Sequence, residues 1–66
     1  MVDKRQLRKT HKIFEDLYEY IESNYDTFVD EELKASGMRA YVALAEMKTL
    51  CDNVRKDIMK VHNNIH

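Results

Sequence analysis

The sequence contains no proline and no tryptophan, one glycine, Gly37, and one cysteine, Cys51. Because glycine and proline supply many tight turns, their scarcity argues against turn-rich β folds and favours long helices. A single cysteine cannot form a disulfide within the chain. Its place in an apolar repeat predicts a small buried side chain, and a functional thiol is the alternative. No apolar run reaches the length of a signal peptide or a membrane span, so we predict a soluble, cytoplasmic protein with no membrane partner.

The chain has 66 residues, of which 35% are charged, and its formal net charge is −1. A chain of this length forms one domain, residues 1–66, whose hydrophobic core is marginal on its own, and self-association is a common remedy. The near balance of charge gives the whole molecule no strong attraction to nucleic acid or to an anionic membrane. Any such attraction must come from local segregation of charge.

The second half of the chain shows the clearest apolar pattern, with spacings that alternate between three and four residues. This is the pattern of a helix packed in coiled-coil style. The repeat comprises Ala40, Leu44, Met47, Cys51, Val54, Ile58, Val61 and Ile65. Ala43 and Leu50 widen the same face, and charged residues lie outside it. We predict a helix over residues 31–63.

The first half repeats this spacing in Leu7, Thr10, Phe14, Leu17, Ile21, Asn24 and Phe28. Further apolar residues widen the stripe, namely Ile13, Tyr18, Tyr20, Tyr25 and Val29. At about 100° per residue the apolar arc then covers roughly 180°, which is more than the roughly 100° that one neighbouring helix covers. A helix over residues 3–29 is predicted, and it needs a second neighbour from another copy or from a different protein.

The turn is expected near residues 29–33, where Asp30 can cap the second helix and Glu31 and Glu32 would lie in its first turn. Ser36 and Gly37 mark an alternative break. A short turn makes the helices antiparallel. The predicted fold is therefore an all-α antiparallel helical hairpin that assembles into a homodimeric four-helix bundle. We expect the oligomer interface to contain Phe14, Leu17, Ile21, Phe28, Leu44, Met47, Cys51, Val54 and Ile58.

Charge is segregated along the hairpin. Basic residues cluster at the start of the first helix, namely Lys4, Arg5, Arg8, Lys9 and Lys12. Acidic residues follow without an intervening lysine or arginine, from Glu15 to Glu32. The helix dipole favours acids at a helix start and bases at its end, so helix stability does not explain this order. Binding of phosphate groups explains it, and a solubilising surface or a charge match between subunits are the alternatives.

The segment Lys34-Ala35-Ser36-Gly37-Met38-Arg39-Ala40, with Val54-Arg55-Lys56 further on, resembles the chlamydial-type histone-like nucleoid protein family. Short bacterial and phage members carry a Lys-Ala-Ala-Gly-x-Arg-Ala core, a leucine-rich helix and a Phe-Arg-Lys ending. The resemblance covers roughly the second half of the chain and implies a helical hairpin that binds DNA without strong sequence preference. The residues that match the pattern are Lys34, Gly37, Arg39, Arg55 and Lys56. Tyr41 and Val42 depart from it, since family members have basic residues there.

Other constellations give weaker signals. His62 and His66 lie one helical turn apart and His11 is expected near them, but no further ligand completes a metal site. The paired carboxylates lie on a solvated face, and the chain has no glycine-rich phosphate loop or nucleophile motif. We therefore predict that the protein is not an enzyme and that it uses no metal or cofactor.

The leading hypothesis is a histone-like protein that contacts DNA phosphates as an oligomer, in the cytoplasm and at the nucleoid. The predicted contact residues are Lys4, Arg5, Arg8, Lys9, Lys12, Arg39, Arg55, Lys56 and Lys60. The alternative is a helical module, such as a small phage or bacterial regulator, that binds a protein partner.

Overall fold

The computed structural model describes residues 3–65. Helix α1 spans Lys4–Glu31 and helix α2 spans Lys34–Asn63. The helices contact each other along the hairpin, which measures 51 × 15 × 15 Å. The prediction of an all-α antiparallel hairpin is confirmed.

Helix α1 begins with a side-chain cap. The Asp3 carboxylate oxygen Oδ1 accepts a hydrogen bond from the backbone N–H of Gln6 at 3.0 Å. An acid followed three residues later by glutamine is a recognised helix-start pattern, because one side chain satisfies a backbone donor that the first turn leaves free. Asp3 thus gives the basic start of α1 a fixed first turn.

The turn consists of Glu32 and Leu33. Glu32 adopts a left-handed conformation with φ 54° and ψ 33°, and Leu33 is extended. Helix α1 continues two residues beyond the predicted residue 29, so Asp30 and Glu31 are its last residues and not the start of α2. The predicted cap by Asp30 is therefore wrong, and Leu33 precedes α2 without a side-chain cap. The three acids lie at the helix end where the dipole disfavours them.

Ser36 and Gly37 lie inside α2 and do not break it, so the alternative turn position is also wrong. Gly37 has a packing role. A Cβ built on Gly37 would lie 2.5 Å from Cδ1 and 2.8 Å from Cε1 of the Phe28 ring. The missing side chain therefore lets the end of α1 approach α2 closely.

The seam between the helices follows the prediction on α1 more closely than on α2. Thr10 and Ile21 are buried on α1, and the Thr10 hydroxyl donates to the Gln6 carbonyl oxygen at 2.9 Å. On α2 the buried residues are Ser36, Ala40 and Ala43. Small side chains at these positions let the helices approach, since the contact distance between helices depends on the side chains between them.

Part of the predicted apolar repeat of α2 lies outside the contact with α1. Leu44 and Ile58 are about half exposed, at 50% and 49%, and Ile65 is exposed by 62%. Leu50 and Asp57 are half-buried. The face of α2 that meets α1 is therefore rotated from the predicted one, because Ser36, Ala40 and Ala43 offer the closest approach.

The hairpin exposes more surface than a compact protein of its mass. Its accessible surface is 5728 Å² for 7.9 kDa, and surface scaling gives about 4,400 Å² for a compact monomer of that mass. The radius of gyration is 15.1 Å, against about 11 Å for a compact domain of this length. No side chain among residues 3–65 is fully buried. The excess, about 1,300 Å², is larger than the roughly 800 Å² that one partner contributes to a standard interface.

Candidate functional site

The antiparallel arrangement brings two groups of basic residues to the end opposite the turn. We call this region the open end and define it by residues 3–12 of the first helix and 55–62 of the second. Its lysines and arginines are exposed, and they are Lys4, Arg5, Arg8, Lys9, Lys12, Arg55, Lys56 and Lys60. Asp3 and Asp57 are its acids. The open end is therefore strongly cationic although the whole chain is not.

The cations of the open end surround the tip of the hairpin. At about 100° per residue, the five cations of α1 spread over roughly 140° centred on the side that faces away from α2. Lys56 and Lys60 lie on the side of α2 that faces away from α1. This arrangement presents positive charge in several directions, which suits contact with phosphate groups without a fixed base register.

Arg39 does not belong to the open end, although it is one of the predicted DNA-contacting residues. It lies 17 residues before Lys56 on the same helix, which corresponds to about 25 Å along the axis. It lines a shallow groove with Tyr20, Val42 and Glu46 near the turn. The structure therefore separates Arg39 from the other predicted contact residues.

Lys12 lies where the charge of α1 changes sign. Its ammonium nitrogen lies 3.0 Å from the Asp16 carboxylate, one turn further along. The hydrogen bond to Asp16 and the attraction of its charge raise the pKa of Lys12 above the ordinary value. His11 and Glu15 form a similar exposed pair, with Nδ1 and Oε1 3.1 Å apart. Within residues 3–65, Lys12 is the one cation of α1 held by a carboxylate of the same chain.

A groove with almost entirely apolar walls begins at the open end. It is lined by Leu7, Thr10, His11, Phe14, Val54 and Ile58. The groove shows that His11 and Phe14 of α1 lie on the same side of the hairpin as Ile58 of α2. On each helix, residues spaced by seven lie on the same side, since seven residues are close to two helical turns.

The side chains on the same side as this groove form an apolar flank that runs along the hairpin. It consists of Phe14, Tyr18, Tyr25, Leu44, Cys51 and Ile58. The exposed fractions are 38% for Phe14, 54% for Tyr18 and 56% for Tyr25. A hydrogen bond to Glu22 and the charge of that carboxylate raise the pKa of the Tyr18 hydroxyl above its ordinary value. The hairpin therefore exposes several apolar side chains along one side.

The predicted oligomer interface divides between two places. Ile21 is buried, and Leu17, Met47 and Val54 are half-buried in the seam between α1 and α2. Half-buried Cys51 lies on the apolar flank with Phe14, Leu44 and Ile58, which face solvent, and Phe28 is 44% exposed near the turn. Tyr18 and Tyr25 lie on this flank without belonging to the predicted interface. The sequence signal that could have placed them on this flank is the spacing of seven residues between His11, Tyr18 and Tyr25.

The opposite flank of the hairpin carries a second groove, lined by Tyr20, Met38, Arg39, Val42, Ala43 and Glu46. Its walls are more polar than those of the groove at the open end. Ile13 lies on the same flank, seven residues before Tyr20, and is 56% exposed. This flank therefore combines scattered apolar side chains with one charge of each sign.

Among the described residues, no three histidine, cysteine, aspartate or glutamate side chains are grouped to hold a metal ion. His66, a member of the histidine set singled out in the sequence, lies outside the described residues. Neither α1 nor α2 is apolar over a length sufficient to cross a membrane.

Comparisons with family models, with curated proteins and with solved structures found no match to this chain, and the resemblance to histone-like nucleoid proteins stays a prediction.

Proposed function

We propose that the protein is a homodimeric four-helix bundle whose open end binds DNA phosphates without sequence preference. The observation that carries the proposal is the gathering of eight exposed lysine and arginine side chains at one end of the hairpin, where Asp3 and Asp57 are the acids. Lysine and arginine displace the counterions condensed on DNA, and this release drives binding. Within residues 3–65, Lys12 alone among the α1 cations is neutralised by a carboxylate of its own chain.

The dimer is supported by the surface that the hairpin leaves exposed. Phe14, Leu44 and Ile58 are at least 38% exposed although each occupies a position in an apolar repeat. The hydrophobic core of a chain of this length is marginal, and association with another chain adds to it. A second copy that covers the apolar flank gives each of these side chains an apolar neighbour.

A gel-shift titration with duplexes of unrelated sequence tests the proposal. We expect equal affinity for the different sequences and a steep loss of affinity with salt, about 0.9 in the slope of log K against log salt for each phosphate contact. Absence of binding at low salt and tens of micromolar protein contradicts the proposal.

A matched pair of triple variants locates the contact. Arg5→Gln, Arg8→Gln and Lys9→Gln together remove three charges from the open end, and we expect the salt slope to fall by about 2 to 3. The control removes three exposed charges nearer the turn, through Lys34→Gln, Arg39→Gln and Lys48→Gln. Both variants change the net charge equally, so equal losses of affinity mean that net charge, not the open end, governs binding.

A second candidate function is docking of a protein partner on the flank opposite the apolar flank. Its support is the groove around Met38 and Val42, because flexible methionine side chains adapt to different partners. A pull-down from a nuclease-treated lysate separates the two candidates. Partners retained by the unaltered chain and lost from Met38→Glu favour docking, whereas loss of all partners after nuclease treatment favours DNA.

A further inference from the structure

The apolar flank and the segregation of charge together determine how two hairpins fit. The open end is basic, and the half of α1 beyond Lys12 carries Glu15, Asp16, Glu19, Glu22, Asp26, Asp30 and Glu31. Two copies can cover the apolar flank of each other in parallel or in antiparallel orientation. The orientations differ in which charges they oppose.

In the parallel orientation α1 of one copy lies against α2 of the other with the two open ends side by side. Lys4 and Arg8 then face the Arg55 end of the second copy, so positive charge opposes positive charge. Like charges at close range repel, so this orientation is electrostatically unfavourable at the open ends.

In the antiparallel orientation α1 of one copy lies against α1 of the other, because the two-fold axis is perpendicular to the long axis. The middle of Lys4–Glu31 falls between residues 17 and 18. Arg8 is then level with Thr27 of the second copy, one position from Asp26, and Lys12 is level with Ser23, one position from Glu22. Each pairing occurs twice by symmetry. Glu22 and Asp26 thereby gain basic neighbours.

The same orientation leaves other cations free. At about 100° per residue, Arg5 and Lys9 point roughly 120° to 160° away from the centre of the apolar flank. They stay accessible after the flank is covered. The cations of α1 therefore divide into a set that faces the second copy and a set that faces outward.

We propose that two copies associate through the apolar flank in antiparallel orientation, so that the dimer carries a basic tip at each extremity and joins two DNA segments. The joining of DNA rests on the proposed function, whereas the orientation follows from the charge and the apolar flank alone. The single hairpin is 51 Å long, so the two tips are too far apart to share one small patch of phosphates.

Fluorescence transfer between labelled copies tests the orientation. In a Cys51→Ala background, single labels are attached through Ala35→Cys near the turn or Met59→Cys near the open end. Because Ala35 lies about 20 Å from the middle of α2, two copies labelled there should be about 40 Å apart along the axis in the antiparallel dimer. A copy labelled at 35 mixed with one labelled at 59 should show close labels. The reverse pattern, or a chain that stays monomeric at hundreds of micromolar, overturns the proposal.

The salt dependence of dimerisation tests the charge pairing independently. The dimer dissociation constant of the unlabelled chain should increase several-fold between low and high salt, because salt screens attraction between the opposed ends. A dissociation constant that falls with salt indicates that like charges are opposed, and it contradicts the antiparallel dimer.

A pair of tyrosine variants tests the interface. Tyr18 lies half a residue from the two-fold axis, so Tyr18→Glu places two carboxylates near each other and should raise the dissociation constant at least tenfold. The control, Tyr20→Glu, adds the same charge to the opposite flank and should change it less than threefold. Equal effects contradict use of the apolar flank.

Capture of one duplex by another tests the joining of DNA. A duplex fixed on beads and loaded with the unaltered protein should retain a second, labelled duplex. Tyr18→Glu should reduce that retention at least tenfold and still bind single duplexes as well as Tyr20→Glu does. If no variant binds DNA, the proposed function fails while the labels still report the orientation. If DNA is bound but never bridged, this inference fails and the proposed function stands.

Discussion

The half of the hairpin near the turn and the half near the open end differ in both packing and charge. Four of the five buried residues lie in the turn half, namely Ile21, Ser36, Ala40 and Ala43, and only Thr10 lies in the other. The open half instead contains the groove that ends between Phe14 and Ile58. The acidic half thus contains most of the buried contact between the two helices, while the basic half exposes more of its side chains.

This difference has a physical origin in side-chain size. Ser36, Gly37 and Ala40 let the helices approach near the turn, and the ring of Phe28 rests against Gly37. Further along α2 the seam passes to Val54, Asp57 and Val61, where a half-buried carboxylate interrupts the apolar contacts. Burial of a charged group is unfavourable without a partner, so this half of the seam contributes less apolar burial.

The largest expected effect concerns the packing of the turn half. Ile21 is 8% exposed, and Ile21→Ala should lower the free energy of unfolding by about 3 kcal/mol, because it removes buried methyl groups and leaves a cavity. Ile13 is 56% exposed, and Ile13→Ala should change it by less than about 0.5 kcal/mol. Urea unfolding followed by circular dichroism measures both. Similar losses would show that the seam does not distinguish these positions.

The contact between Phe28 and Gly37 gives the next effect, measured as a double-mutant cycle. Gly37→Ala should destabilise the protein because the added Cβ displaces the Phe28 ring. In a Phe28→Ala background the same change should stabilise it by about 1 kcal/mol, since alanine is the better helix former. The coupling should therefore be about 1 to 2 kcal/mol. A cycle with no coupling would show that the ring does not rest on the glycine.

The left-handed residue of the turn gives a smaller effect of opposite sign. Glu32 has φ 54°, and Glu32→Gly should stabilise the protein by about 1 kcal/mol because glycine adopts this conformation without steric cost. Glu31→Gly removes the same charge from a residue that is still helical. Thermal unfolding should show a higher midpoint for the first variant and a lower one for the second, and a rise for both would assign the gain to charge.

The smallest effect compares two cations of the open end. Lys9→Gln should reduce the salt slope of DNA binding by about one. Lys12→Gln should reduce it by less than half as much, since the Lys12 ammonium is already paired with the Asp16 carboxylate. Filter binding at several salt concentrations measures both slopes. Equal reductions would mean that the Lys12 pair opens when DNA binds.

Sequence reasoning found the helices because a repeat of three and four residues needs only local periodicity. It placed the turn two residues too early, because Asp30 and its acidic neighbours resemble a helix start as readily as a helix end. It also missed the cap formed by Asp3, although the spacing to Gln6 was visible. The resemblance of the second half to histone-like proteins added a hypothesis about DNA that the hairpin itself does not test.

The structure brings most, but not all, of the predicted DNA-contacting residues together. Most of the predicted cations meet at one end, because an antiparallel hairpin must bring the start of α1 beside the end of α2. Arg39 does not, because it lies 17 residues before Lys56 on the same helix, about 25 Å away along the axis. The sequence does not show that Tyr18 and Tyr25 share a surface with residues of α2. The groove lined by His11 and Ile58 shows which side of α1 lies beside which side of α2.

The amino-acid sequence alone determined two amphipathic helices, their antiparallel order and the separation of basic from acidic segments, because periodicity and charge order are properties of the chain. Only the tertiary structure decided which side of each helix is used within the hairpin. Ser36, Ala40 and Ala43 rotate α2 so that its smallest side chains meet α1. That rotation leaves Leu44 and Ile58 on an outer flank, because both lie to one side of the line through Ser36, Ala40 and Ala43 and only one face of α2 can pack against α1.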